Sequence, residues 1–147
     1  MTISIQNRIC LFGQVIDGVM HLNDAGQMIM KWWAELPNKF PNVEIDTSIV
    51  MPNHFHGIVV VHGESDRTTH RSSPTDALPD IMQWFKTMTT NAYIKGVKQN
   101  GWESFPGQVW QRGYHDHIIR DDQDMTIRQQ YIFDNPARWQ NDENYLP

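Results

Sequence analysis

Two histidines separated by one residue are the first feature of this sequence that could carry chemistry. His54-Phe55-His56 is followed by Gly57 and an Ile-Val-Val-Val run, which indicates a strand that begins at His54. Because side chains alternate along a strand, His54 and His56 point to one face and Phe55 points to the other, into a core. Two adjacent imidazoles make half of a metal site, with nitrogen ligands at about 2.0–2.2 Å. The alternative interpretation is a pair of partly exposed polar residues at a strand start.

A second His-x-His pair, His115-Asp116-His117, has a charged residue in the middle that would not bury its opposite face in a core. No cysteine or further pair at metal-site spacing completes a zinc site around it. A structural role, or contact with phosphate near Arg112 and Arg120, is therefore the favoured interpretation. An unrelated metal enzyme or small-molecule binder that uses this pair is kept as a competing hypothesis.

Tyr131 is the third feature, and it lies in a segment with helical spacing. Residues three, four and seven apart share a helix face, so Arg128, Tyr131 and Asn135 line up, with Arg138 in phase. A tyrosine between a cation and an amide is poorly placed for packing alone, although tyrosine also often rims a core. The buried stripe of this helix is expected to consist of Ile127, Ile132 and Phe133.

These residues fit one reaction on a phosphodiester. A phenol with a pKa of about 10 is a weak nucleophile at neutral pH. A divalent metal held by two imidazoles and one amide oxygen would keep open positions for phosphate oxygens, and would stabilise the charge that develops there. Arg128 could favour the phenolate or neutralise the phosphate. The product would be a phosphotyrosine bond, which conserves the energy of the broken linkage for later rejoining.

The elements that must position these residues follow from hydrophobic periodicity and from turn signals. The pattern predicts strands at 8–16, 43–51, 54–61 and 108–119, a short hairpin arm at 19–22, and helices from Asn23 or Asp24 to Pro37, at 78–98 and at 121–135. The first six major elements form a β-α-β-β-α-β unit. We therefore predict an α+β, ferredoxin-like fold: an antiparallel sheet with helices on one face, and an additional C-terminal helix that carries Tyr131.

Length and composition indicate one domain, 1–147, with a mobile loop at 62–76 that is rich in Ser, Thr, Arg and Asp. No apolar run is long enough to cross a bilayer, and the first residues lack the order of a signal peptide, so a cytoplasmic protein is expected. Cys10 has no partner for a disulfide and is expected to be a small buried hydrophobe.

The charge distribution is uneven. A formal net charge of −5 argues against a protein that coats nucleic acid by bulk attraction. The segment 81–120 nevertheless carries a local charge of +3, whereas 121–147 contains six acids and two cations. Local charge dominates within a Debye length of about 8 Å, so a bound strand is expected mainly on the middle segment. The predicted DNA contacts are Lys86, Arg112, Arg120 and Arg128.

The sequence around the first histidine pair, 51–57 (Met-Pro-Asn-His-Phe-His-Gly), resembles the HUH motif of single-tyrosine HUH transposases. Within that group it is similar to the REP-associated tyrosine transposases, relatives of small insertion-sequence transposases. Three further stretches match the style of this family in the same order: 84–91, 109–121 and 131–139.

The resemblance implies a nuclease domain that binds single-stranded or hairpin DNA and cleaves it with Mg²⁺ or Mn²⁺ through a covalent 5′-phosphotyrosine. It implies that His54 and His56 are metal ligands and that Tyr131 is the nucleophile. Asn135 stands where relatives place a polar third ligand, often Gln; it is one methylene shorter, and beside Pro136 it could instead cap the helix end. The family contains both monomers and dimers, so a homodimer is left open. A catalytically silent hairpin-binding protein of the same fold is the alternative function.

Overall fold

The computed structural model describes residues 1–63 and 74–147, without the side chains of 74–76. The strands are β1 (Thr2–Ser4), β2 (Gly13–Ile16), β3 (Val19–Leu22), β4 (Val43–Val50) and β5 (His54–Val61). The α-helices are α1 (Asp24–Ala34), α2 (Leu36–Lys39), α3 (Pro74–Asn100) and α4 (Asp122–Asp134). Two 3-10 helices span Gln6–Arg8 and Pro136–Asn141.

The main sheet is antiparallel, with β5 in the centre between β1 and β4. His56 is paired with Thr2 on one side and with Ile49 on the other. Along the outer edge of β1, the chain forms two isolated antiparallel bridges, Ile5 with Trp110 and Thr2 with His115. The resulting order, 109–115 then β1, β5 and β4, is that of the ferredoxin-like α+β fold predicted from the sequence, and this fold class is confirmed.

The first strand of the main sheet is Thr2–Ser4, and of the strand predicted at 8–16 only Gly13–Ile16 is a strand, which pairs with β3 in the predicted hairpin. The apolar residues Leu11 and Phe12 are buried, but their backbone N–H groups donate to the carbonyl of Pro52 and not to a sheet neighbour. Gly13, at a φ of 133°, then redirects the chain into the separate β2–β3 hairpin. Leu11 and Phe12 are apolar because they are buried in the core, although their backbones do not pair with a strand.

The predicted strand at 108–119 also does not form as a continuous strand. Only the two bridges at Trp110 and His115 connect it to the sheet. Gly113 lies between them with a φ of 75°, a left-handed conformation that interrupts an extended strand. The segment therefore follows the sheet edge without being a regular part of it.

The helices agree better with the sequence because their caps are local signals. The side chain of Asn23 accepts from the N–H of Gly26 at 2.9 Å and begins α1. The side chain of Asp121 accepts from the N–H of Asp124 at 2.7 Å and begins α4. The helix predicted at 78–98 begins earlier, at Pro74, so residues 74–76 are helical and not loop; the rest of the predicted mobile loop, 64–73, lies outside the described residues.

The core lies on the Phe55 face of the sheet, under α1 and α3. The Phe55 ring is 4.9 Å from the Trp33 ring and 5.4 Å from the Phe85 ring, measured between centroids. The opposite face, where His54 and His56 point, is covered by α4. Of the stripe predicted for α4 only Ile132 is buried: Ile127 and Phe133 are exposed, because α4 meets the sheet along the line of its polar residues.

Two further expectations concern the surface. Cys10 is exposed, contrary to the prediction, since the chain at this point runs beside the C-terminal segment and not inside a strand. Among the described helices, none combines the length and apolarity needed to cross a membrane.

Candidate metal and nucleophile site

The imidazoles of His54 and His56 lie side by side on β5, with ring centroids 4.8 Å apart. They are 0% and 6% exposed, which excludes the interpretation of partly exposed polar residues. Burial lowers the pKa of His56 to about 3, with a further contribution from the nearby His54, and burial is also the main cause of the lowered pKa of His54. Both rings are therefore neutral near pH 7, which is the form that binds metals.

The δ nitrogens of both rings are held by neighbouring side chains. Asn53 Oδ1 is 2.9 Å from Nδ1 of His54, and the hydroxyl of Thr2 is 2.7 Å from Nδ1 of His56. Because an amide oxygen only accepts, Nδ1 of His54 carries the proton and its Nε2 presents a lone pair. Nε2 of each ring is buried and has no hydrogen-bond partner. In metal-binding histidines, one ring nitrogen is usually held by a hydrogen bond while the other faces the metal.

Asn135 supplies a third unpartnered polar atom. It is 3% exposed and stands at the C-terminal cap of α4, where its Nδ2 donates to the carbonyl of Tyr131 at 3.0 Å. Its Oδ1 is buried without a hydrogen-bond partner. The Asn135 side chain faces both imidazoles, since it partly opposes the lowering of the pKa of His54 and of His56. Asn135 thus caps the helix end, and its side chain interacts with the histidine pair.

Two imidazole nitrogens and one amide oxygen, all buried and unpartnered, form a donor set that fits a divalent cation. In the described part of the chain, no three His, Cys, Asp or Glu side chains form a metal-binding group. The roles of these residues as ligands stay a prediction, which the donor atoms support.

Tyr131 lies beside the histidine pair of its own chain. Its ring centroid is 5.6 Å from that of His56, and the residue is 44% exposed. One helical turn earlier, Arg128 has a buried Nε that has no hydrogen-bond partner and lies 3.6 Å from a carboxylate oxygen of Asp124. A cavity of about 190 Å³ joins these groups, and His56, Arg128 and Tyr131 line it. A nucleophile, a cation and two candidate ligands therefore share one region of the molecule.

The second histidine pair lines the same cavity from the edge of the sheet. The backbone of His115 pairs with Thr2, and Nε2 of His117 is 2.8 Å from a carboxylate oxygen of Asp124. The hydrogen bond from His117 is the main cause of the lowered pKa of Asp124. The two rings are thus neighbours of the Tyr131 site, and among the described residues they do not belong to any separate group of potential metal ligands.

The four cations predicted to contact DNA occupy different environments. Lys86 Nζ donates to the carbonyl oxygen of Gln111 at 3.0 Å and to that of Gly113, which attaches α3 to the edge segment, and burial lowers its pKa. Arg112 and Arg120 are exposed, whereas Arg128 lies in the cavity. Their contacts with DNA stay predictions.

The supporting residues were not identified from the sequence. Thr2 lies on β1, which the hydrophobic pattern did not reveal. Asn53 precedes His54 directly, and is fully buried with Nδ2 donating to the carbonyls of Arg8 at 2.9 Å and Asn144 at 2.7 Å. For Asn53, its position directly before a candidate ligand was the one sequence feature that could have indicated a supporting role.

The chain has an α+β architecture in which an antiparallel ferredoxin-like sheet carries a buried histidine pair and a helix beside it carries a tyrosine. Known proteins share this fold. A solved structure described as a REP-associated tyrosine transposase bound to a REP hairpin superposes with a TM-score of 0.55 at 21% identity, over 93% of this chain and 64% of that one. This likeness shows that the fold is shared.

Two proteins of Haemophilus influenzae are similar in sequence. An uncharacterised protein is 35% identical over 157 aligned positions, covering 99% of this chain and 83% of the relative. A second, named as a putative REP-associated tyrosine transposase, is 26% identical over 92 positions, 60% of this chain and 47% of its own length. No family model matches the chain. The named relative and the solved structure are both described as REP-associated tyrosine transposases, and this chain is similar to both.

The chain spans 64% of the solved neighbour, and its match covers about half of the named relative.

Proposed function

We propose that this protein is a metal-dependent transposase or nuclease that cleaves and rejoins single-stranded or hairpin DNA through a covalent 5′-phosphotyrosine. The observation that carries the proposal is the convergence of Tyr131 with three buried, unpartnered donor atoms, on His54, His56 and Asn135. The structural neighbour is bound to a REP hairpin, which supports hairpin DNA as the substrate class of this chain.

In the proposed reaction, a divalent cation such as Mg²⁺ or Mn²⁺ would be held by His54, His56 and Asn135, and would supply charge stabilisation at the scissile phosphate. The phenolic oxygen of Tyr131 bonds to phosphorus, the bond from phosphorus to the 3′ oxygen breaks, and the leaving oxygen takes a proton to become a 3′-hydroxyl. The phenolic proton leaves to solvent, to which Tyr131 is 44% exposed. Rejoining is the reverse, with a 3′-hydroxyl as nucleophile.

The chain's own residues prepare this step by position. Asn53 and Thr2 fix the two imidazoles through Nδ1, so that both rings keep their orientation without reorganising. Arg128, one turn from Tyr131, places a guanidinium in the cavity where phosphate charge would lie. The open cavity beside Tyr131 admits a backbone phosphate from the protein surface.

The proposal is tested by incubating the protein with hairpin-flanked single-stranded DNA and Mn²⁺, and by resolving a covalent adduct on a denaturing gel. Tyr131→Phe is expected to abolish the adduct while hairpin binding is retained. Tyr114→Phe is the matched control, because it removes a hydroxyl from a tyrosine of the edge segment that does not line the cavity, and it should keep the adduct. Specific hairpin binding without an adduct in any divalent metal would instead identify the catalytically silent alternative.

A further inference from the structure

The segment that follows α4 returns to the histidine pair. The Trp139 ring packs 5.9 Å from that of His54, tilted by 30°. Three residues later, the side chain of Asp142 is 10% exposed, and its Oδ2 lies 3.7 Å from Nε2 of His54. A largely buried carboxylate therefore faces the same nitrogen that points into the proposed metal site.

Hydrogen bonds fix this carboxylate in place. Asp142 Oδ1 accepts from the backbone N–H of Asn144 at 2.7 Å and from its Nδ2 at 3.1 Å, which leaves Oδ2 on the side of His54. The carbonyl of Asn144 accepts from Asn53 Nδ2 at 2.7 Å, and Asn53 Oδ1 holds Nδ1 of His54. Asn53, His54, Asp142 and Asn144 thus form a closed ring of contacts that joins the C-terminal segment to β5.

The two atoms that face each other are both acceptors. Since Nδ1 of His54 donates to Asn53, its Nε2 presents a lone pair to a negatively charged oxygen. Their separation of 3.7 Å is longer than the roughly 2.7–2.9 Å of a charge-assisted hydrogen bond. Two donor atoms that each bind one cation at about 2.1 Å lie roughly 3–4 Å apart. The arrangement is one that a cation between the two atoms would stabilise.

We propose that Asp142 is the anionic member of the metal site and faces the divalent cation through Oδ2 beside His54. The inference rests on the proposed function and deepens it, because His54, His56 and Asn135 contribute no negative charge. His54, His56 and Asp142 do not form a ligand group as the described side chains stand. Asp142 therefore adds to Asn135 and does not replace it.

The experiment measures the affinity of the purified chain for Mn²⁺, in the absence of DNA, by calorimetry and by electron paramagnetic resonance. Asp142→Asn keeps the shape and an acceptor for Asn144 but removes the charge, and we expect at least a tenfold loss of affinity, as for outer partners of metal ligands. Glu143→Gln removes the same charge from the adjacent, exposed residue and is expected to change the affinity by less than about threefold. Asp142→Ser, which can still accept from the Asn144 N–H, replaces the first variant if that variant does not fold.

The outcomes separate this inference from the proposed function. Equal affinity of Asp142→Asn and the wild type, with binding lost in the His54→Ala, His56→Ala double variant, would overturn the role of Asp142 and leave the metal site standing. An equal loss in Glu143→Gln would also overturn it, since general charge would then be the cause. If the wild type binds no Mn²⁺, the proposed metal site fails, and the inference fails with it.

Discussion

At the scale of single residues, Asn135 combines a helix-capping hydrogen bond with a buried, unpartnered amide oxygen. Its side chain also partly opposes the lowering of the pKa of both His54 and His56. The bond from Nδ2 to the Tyr131 carbonyl fixes which atom of the amide points inward. The two roles that the sequence left as alternatives, cap and ligand, are compatible in one side chain.

Replacing Asn135 with Ala tests this double role. We expect Mn²⁺ affinity to fall by at least tenfold, and the free energy of unfolding to fall by about 1 kcal/mol from loss of the hydrogen bond to Tyr131. Calorimetric titration and denaturant unfolding measure the two effects. Asn141→Ala, at an exposed position, is the control. Unchanged metal affinity in Asn135→Ala would remove this residue from the site.

At the scale of elements, Gly57 shows how the core limits the strand that carries the histidines. A Cβ at Gly57 would lie 2.6 Å from the Trp33 ring on α1, a contact that forces the ring or the strand to move. Gly57→Ala is therefore expected to cost about 1–3 kcal/mol of stability, measured by denaturant unfolding. Gly63→Ala is the matched control, because a Cβ there meets no atom of the described residues within 4 Å. Equal stability of the two variants would show that a Cβ at position 57 is accommodated without a clash with Trp33.

Tyr93 connects α3 to the loop before the edge segment and predicts a pH dependence. Its hydroxyl donates to the Glu103 carbonyl at 2.7 Å, and burial, followed by the charge of Glu103, raises its pKa to about 12. Because this pKa is raised in the folded protein, the neutral hydroxyl of Tyr93 contributes fully to the free energy of unfolding below about pH 10. The contribution is lost as the pH rises toward 12. Tyr93→Phe should therefore be about 1 kcal/mol less stable at pH 7 but lose less stability between about pH 10 and 12. A variant as alkali-sensitive as the wild type would contradict this.

The sequence predicted some elements well for local reasons. The Ile-Val-Val-Val run and the preceding Pro52-Asn53 turn marked His54–Val61, a side-chain cap marked the start of α1, and acids in the first turn marked the start of α4. Thr2–Ser4 was missed because three residues, one of them apolar, carry too little periodicity to be recognised. The contacts of Thr2 and Asp142 with the histidines depend on tertiary packing over more than 50 residues, which spacing along the chain does not encode.

At the scale of the whole molecule, the complete candidate site is assembled within one chain. Tyr131 lies beside His56 of the same chain, so the described residues of one chain contain the proposed nucleophile and the proposed donors His54, His56 and Asn135. This arrangement does not require the homodimer that the sequence left open. Because the net charge is −5, the proposed DNA binding would depend on a local group of cations.

The environments of the cations predict that they contribute differently to the salt dependence of hairpin binding. Arg112 is exposed, so Arg112→Gln should reduce the slope of log affinity against log salt by about 0.7–0.9, the value for one phosphate contact. Lys86→Gln should mainly lower stability, because its ammonium holds two backbone carbonyls. Fluorescence anisotropy at several salt concentrations and thermal unfolding measure the two effects. The opposite pattern would place Lys86, and not Arg112, on the DNA.

The proposed covalent bond between DNA and Tyr131 is tested most directly by mass spectrometry of the trapped complex. The protein is incubated with hairpin-flanked single-stranded DNA and Mn²⁺, and is then digested with protease and nuclease. We expect a nucleotide mass on the peptide that contains Tyr131, absent when Mn²⁺ is chelated and absent from Tyr131→Phe. A nucleotide on another residue, or an undiminished adduct in Tyr131→Phe, would contradict the proposed role of Tyr131.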